Sequence, residues 1–194
     1  MKKIIATLSV LLFFNCVIFA QADKELPAIK SGNADAFYIP AAVCKKFKLK
    51  STTGSPSRKA YENMGDNAKL VMVDDQRWEA GSKNEALLWY NNKYNTIKFL
   101  SDDDKDITAK TTRPVGVDAW NVYEMKDDLK KMGEIMGLKQ NAYKYTFVVD
   151  KYVARIYVQV DATATLKEIW DFVKEGIKAT LAASGKGALA AQVK

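Results

Sequence analysis

The segments AYKYTFVV (142–149), DK (150–151) and YVARIYVQV (152–160) read as two β-strands joined by a two-residue turn. A turn at Asp150-Lys151 pairs Val149 with Tyr152, Phe147 with Ala154, Tyr145 with Ile156 and Tyr143 with Val158. Side chains alternate along a strand, so these eight share one face. The other face pairs Val148 with Val153, Thr146 with Arg155 and Lys144 with Tyr157, and is mixed. A one-residue slip would carry Lys and Tyr into the core together, so the pattern specifies register as well as pairing.

The apolar face needs a cover, and the chain that follows supplies one. Thr165-Leu166-Lys167-Glu168 matches a capping box, in which the Thr hydroxyl and the Glu carboxylate satisfy each other's backbone amides. Leu166, Trp170, Val173, Ile177 and Leu181 then recur at helical spacing, and Ile169 widens the stripe. Gly176 costs about 1 kcal/mol relative to Ala inside a helix, which points to close packing at that position. Ser184-Gly185 ends the helix.

The flanking sequence adds shorter elements. Lys69–Val73 and Ala119–Glu124 read as strands. Ala86–Tyr90 and Tyr94–Leu100 read as a second hairpin around Asn91-Asn92-Lys93, because Asn tolerates the positive φ of a tight turn. Pro40 interrupts residues 37–50 and argues for an edge strand or two short strands. Ser57 is placed to cap a short helix through Met64, stopped by Gly65. Met125, Leu129, Met132 and Met136 mark a helix over Lys126–Met136. Strands outnumber helices and the connections are tight. The expected class is α+β: a mainly antiparallel sheet covered on one face by two or three helices, including a C-terminal one.

The N-terminus carries an address. Lys2 and Lys3 precede an apolar run from Ile4 to Ala20, and Ala20-Gln21-Ala22 is a small-x-small cleavage pattern. The expected organisation is a cleaved signal peptide over 1–22, a flexible lead-in over 23–36, one domain over 37–184 and a flexible tail over 185–194. The expected location is extracytoplasmic, either periplasmic or secreted. Lipidation of Cys16 is the alternative processing route. The residues after Cys16 are apolar where a lipoprotein tether is polar, which disfavours it. Removal of Lys2 and Lys3 lowers the formal charge from +7 to +5. A basic exported chain suits anionic envelope ligands or membrane headgroups rather than nucleic acid.

The chemistry is defined mostly by exclusion. The chain has no His, which removes the Ser-His-Asp and Cys-His nucleophile systems and the His-containing zinc sites. Cys44 is the one thiol left after signal removal, so no internal disulfide forms, and its apolar setting favours burial. Asp102, Asp104 and Asp106 alternate like the start of a calcium loop. Ile107 stands where such a loop needs Gly, and Arg113 where it needs Glu. No metal, cofactor or catalytic residue is expected. The expected function is ligand or partner binding, with a peripheral envelope-assembly factor and a carboxylate-based hydrolase as alternatives. Trp78, Trp89 and Tyr90, with Arg77 and Lys83, are the candidate binding residues. Basic groups beside rings suit an anionic or carbohydrate ligand. Each ring has an equally physical alternative as core.

Overall fold

Residues 140–161 form the hairpin on which the rest of the sheet is assembled. The computed structural model describes residues 26–30, 32–63, 69–94, 105–125 and 140–194. The expected signal peptide, the Lys126–Met136 helix, the Met64-Gly65 helix end and all but the first residue of the expected Tyr94–Leu100 strand lie outside these residues.

The elements in chain order are α1 (Ala41–Lys46), β1 (Lys50–Ser55), β2 (Arg58–Glu62), β3 (Leu70–Glu79), α2 (Lys83–Trp89), β4 (Lys105–Asp106), β5 (Ala119–Met125), β6 (Gln140–Val149), β7 (Tyr152–Asp161), α3 (Leu166–Ala183) and α4 (Gly187–Ala190). Among the described residues, seven strands form one sheet in the order β1-β2-β3-β7-β6-β5-β4. Every pairing is antiparallel. The class is α+β.

The β6–β7 register matches the sequence reading at every pair, from Val149↔Tyr152 to Tyr143↔Val158. Asp150 adopts φ +52°, a left-handed conformation that Asp tolerates. Its amide donates to Asp118 Oδ2 at 2.7 Å, which ties the turn to the start of β5.

Helix α3 covers the Phe147 face. Its capping box is complete: Thr165 Oγ1 accepts from the Glu168 amide, and Glu168 Oε2 accepts from the Thr165 amide at 2.7 Å. The buried stripe is rotated from the expected one. Ile169, Phe172, Val173, Gly176, Ile177, Thr180 and Leu181 are buried. Trp170 is only partly buried, and Leu166 is exposed. Phe172 is the residue missing from the expected stripe, and its burial moves the stripe's centre away from Trp170. Phe172 meets Phe47 edge-on, with ring centroids 5.1 Å apart.

A buried ion pair sits beneath this helix. Arg77 Nε lies 2.7 Å from Asp75 Oδ1, a charge contact bent away from hydrogen-bond geometry. Asp75 Oδ2 accepts from the Ile39 amide, and Arg77 Nη1 donates to Thr180. Burial pushes the Asp75 carboxyl above its usual range, against the pull of Arg77 and the Ile39 amide. A Cβ on Gly176 would stand 2.7 Å from Ile156 Cδ1 and 2.9 Å from both Arg77 Nη2 and Ile39 Cγ1. The helix glycine therefore makes room for the pair and its neighbours.

Three expected elements take another form. Residues 41–46 are helical, not extended. Pro40 starts this helix rather than breaking a strand, with its carbonyl accepting from Val43 and Cys44. Residues 58–62 are strand β2, not a helix, because β1 and β3 flank them and bond their backbone on both sides. Residues 83–89 are helix α2, not half of a hairpin. Ser82 accepts from the Glu85 amide, and Glu85 Oε2 accepts from the Gly81 amide at 2.6 Å. Ser-x-x-Glu is the serine counterpart of the Thr-x-x-Glu that starts α3, although here the Glu reaches the amide before the cap.

The segments expected as flexible ends carry packed residues. Leu26 packs with Trp78, and Ala28 bridges to Trp78. Val193 belongs to the main core, and Trp170 Nε1 donates to the Lys194 oxygen at 2.8 Å. Gly116, at φ +82°, lies so close to α3 and α4 that a Cβ would stand 2.9 Å from Leu181 and 2.8 Å from Leu189.

Candidate functional site

The described residues expose two large hydrophobic side chains, Val115 (51%) and Leu166 (49%). Both line one groove of about 520 Å³. Scattered single apolar residues on a surface need no explanation, but two that face the same concavity do. The volume lies within the range of small-molecule sites, roughly 300–1,000 Å³.

One wall is the connection between β4 and β5. Asp106 Oδ1 accepts from the Thr108 amide at 2.8 Å and starts a 3-10 turn over Thr108–Lys110. Thr111 Oγ1 accepts from Trp120 Nε1 at 2.9 Å and donates to the Thr108 carbonyl, so both of its hydroxyl functions are engaged. Pro114 is buried, and the chain then reverses through Gly116. This sequence carries Lys110, Arg113 and Val115 along the rim. The opposite wall is the first turn of α3, with Leu166, Lys167 and Trp170. Val193 closes one end.

The floor is aromatic. Trp170 meets Trp120 edge-on at 6.1 Å, and Trp120 packs 5.7 Å from Tyr145. Tyr145 lines the groove while being almost wholly buried. Burial raises its hydroxyl pKa, so the ring stays neutral at physiological pH.

The charged side chains of the groove have one sign. Lys110, Arg113, Lys167 and Lys194 line it, and no Asp or Glu side chain does so among the described residues. The acids of the adjoining helix turn are engaged elsewhere. Glu168 closes the capping box, and Asp171 is held between Lys167 (2.7 Å) and Lys174 (2.6 Å). Those two hydrogen bonds pull the Asp171 carboxyl down to about 2. Arg113 donates one N–H to the Asp118 carbonyl at 3.2 Å.

The five residues singled out from the sequence lie away from this groove. Trp78, Trp89 and Tyr90 do come together, packed with Leu26, Val148 and Val153 on the sheet face opposite α3. All three rings are buried. Burial raises the Tyr90 hydroxyl pKa. Arg77 neighbours Trp78 in β3 and therefore faces the other side, where it is 1% exposed. Lys83 lies at the start of α2 and pairs with Asp118 at 2.5 Å. Asp118 also receives Lys186 at 3.5 Å. Burial opposes its ionisation, yet the hydrogen bonds from Lys83 and the Asp150 amide hold its carboxyl below the usual range.

Sequence reasoning assigned Leu166 and Trp170 to the covered stripe. The helical period does place them near the apolar face, but the first turn of α3 lies beside the groove. The short wall sequence Lys110-Thr111-Thr112-Arg113-Pro114-Val115 held the only other signal, an apolar residue among cations in a Pro-containing loop. Asp102 and Asp104 of the expected acidic turn lie outside the described residues. No known family, curated protein or solved structure matches this chain.

Proposed function

We propose that the protein is an exported, non-catalytic binding domain of the cell envelope, and that its ligand occupies the groove between the β4–β5 connection and α3. The observation that carries this reading is the convergence of Val115 and Leu166 on one cavity floored by Trp170 and Tyr145. Apolar surface left in water inside a concavity is stabilised when a ligand covers it, by about 25 cal/mol per Å² removed from solvent. Export rests on the basic start, apolar run and cleavage pattern of residues 1–22. A hydrolase reading has less support, because the groove lining described here contains no carboxylate side chain to act as acid or base.

The neutral fluorescent probe N-phenylnaphthylamine tests the site without involving charge. It is expected to brighten and saturate on the wild-type protein. Leu166→Asn should weaken that binding about fivefold, since covering half of a Leu side chain is worth roughly 1 kcal/mol. Unchanged binding in a folded Leu166→Asn variant would refute the groove as the ligand site.

A second reading, peripheral docking on an anionic surface, draws on Lys45, Lys46, Lys48 and Lys50. All four are exposed, and no ion pair joins them to another described residue. Basic clusters of this kind are attracted to anionic headgroups by about 1 kcal/mol per charge near the surface. Sedimentation with phosphatidylglycerol vesicles that is lost when these four are changed to Gln would support it.

A further inference from the structure

We infer that the groove selects single-chain anionic amphiphiles, free carboxylates of the fatty-acid type, over neutral and cationic amphiphiles of the same chain length. This rests on the groove being the ligand site. The apolar requirement comes from Leu166, Val115 and Trp170, and the sign comes from the wall opposite the helix. Lys110 and Arg113 stand three residues apart on that wall, both exposed, and neither is ion-paired with another described residue. Arg113 commits one N–H to the Asp118 carbonyl, and a guanidinium carries five such donors in a planar fork that fits a carboxylate.

Lys167 adds a third positive charge on the facing wall. Its bond to Asp171 makes it the weakest of the three as an anion donor. The same geometry repels a cationic head, which would meet these like charges with no lining Asp or Glu side chain to offset them. A monomeric amphiphile suits this enclosure better than a bilayer. Val115 and Leu166 line a concave groove, whereas membrane insertion needs apolar residues on a protruding surface.

The test is displacement of bound N-phenylnaphthylamine by laurate, dodecanol and dodecyltrimethylammonium, each below its micellar concentration. Laurate is expected to displace the probe at a concentration about tenfold lower than dodecanol, the scale of one charge-assisted hydrogen bond. The cationic compound should be the poorest displacer. Added salt should weaken laurate and leave dodecanol unaffected.

In the Lys110→Gln/Arg113→Gln variant the laurate-to-dodecanol ratio should collapse towards one. A control with the same net charge, Lys30→Gln/Lys178→Gln, changes cations outside the groove and should keep the ratio. Equal potency of laurate and dodecanol on the wild type would overturn the inference while leaving the groove as an apolar site. So would a ratio that survives the double variant, or one that falls equally in the control. Binding of phosphatidylglycerol vesicles without displacement by laurate would overturn it in favour of headgroup docking. Failure of the probe itself to bind would remove both this inference and the reading beneath it.

Discussion

The apolar face of α3 has two ends with opposite fates. On the side facing the sheet, Ile169, Phe172, Val173, Ile177 and Leu181 are fully buried. At the helix's N-terminal end, Leu166 is half exposed, and Trp170, one turn on, is only partly buried. The residue types are similar and the helix is continuous. What differs is the surface opposite. The sealed end faces the eight-residue side of the β6–β7 hairpin. The open end faces the β4–β5 connection, which stands off and leaves the groove. Periodicity reports which side of a helix is apolar, but it carries no information about whether another element covers that side.

The largest effect should come from emptying the sealed end. Phe147 is fully buried, 6.4 Å from the Trp120 ring and 5.2 Å beneath the Arg77 guanidinium. Phe147→Ala should cost about 3–5 kcal/mol in denaturant unfolding, because the cavity it leaves is walled by strands that cannot collapse. A loss below about 1 kcal/mol would show that the hairpin face is not the core and would abolish the contrast between the two ends.

A smaller effect should follow from overfilling the same end. Gly176→Ala gains about 1 kcal/mol of helix propensity. It also places a methyl group 2.7–2.9 Å from Ile156, Arg77 and Ile39. Arg77 cannot swing out of the way, since it is buried and held by Asp75 and Thr180. The overpacking cost, about 1–3 kcal/mol, should exceed the propensity gain and leave a net loss near 1 kcal/mol by thermal or chemical unfolding. A stabilised Gly176→Ala would mean that the sealed end has slack.

The same contrast explains what the sequence revealed and what it did not. The hairpin was legible because its alternation and turn length fix every pair by themselves. The α3 start was legible because a capping box is local chemistry. The α2 start carries the related Ser-x-x-Glu pattern, yet Ala86–Tyr90 also fits a strand with Asn91-Asn92-Lys93 as its turn, and the local sequence does not decide between the two. Strand β2 was not legible, since Arg58–Glu62 becomes a strand only through the neighbours on its two sides. The candidate rings Trp78, Trp89 and Tyr90 pack into one buried cluster on the far face of the sheet. The groove was invisible for the reason that separates the two ends of α3. Its lining comes from residues 107–115, 145, 166–170 and 192–194, which only the tertiary fold brings together.

The smallest effect on stability should come from the open end, and it is the sharpest test of the comparison. Leu166 occupies the first position of α3, where its backbone amide needs no intrahelical partner and its side chain contacts little of the core. In water, replacing it with Asn removes apolar area that folding had left about half exposed. Asn is also tolerated near a helix N-terminus. Leu166→Asn should therefore change unfolding free energy by no more than about 0.5 kcal/mol, the usual range for surface substitutions. The same change should weaken binding of the neutral probe. A residue that matters for binding and not for folding is what an open site requires, and no residue of the sealed end can behave that way. If Leu166→Asn instead destabilised the protein by more than about 1 kcal/mol, the side chain would be covered in solution. The groove would then be occupied by the protein's own chain, and the two ends of α3 would be alike.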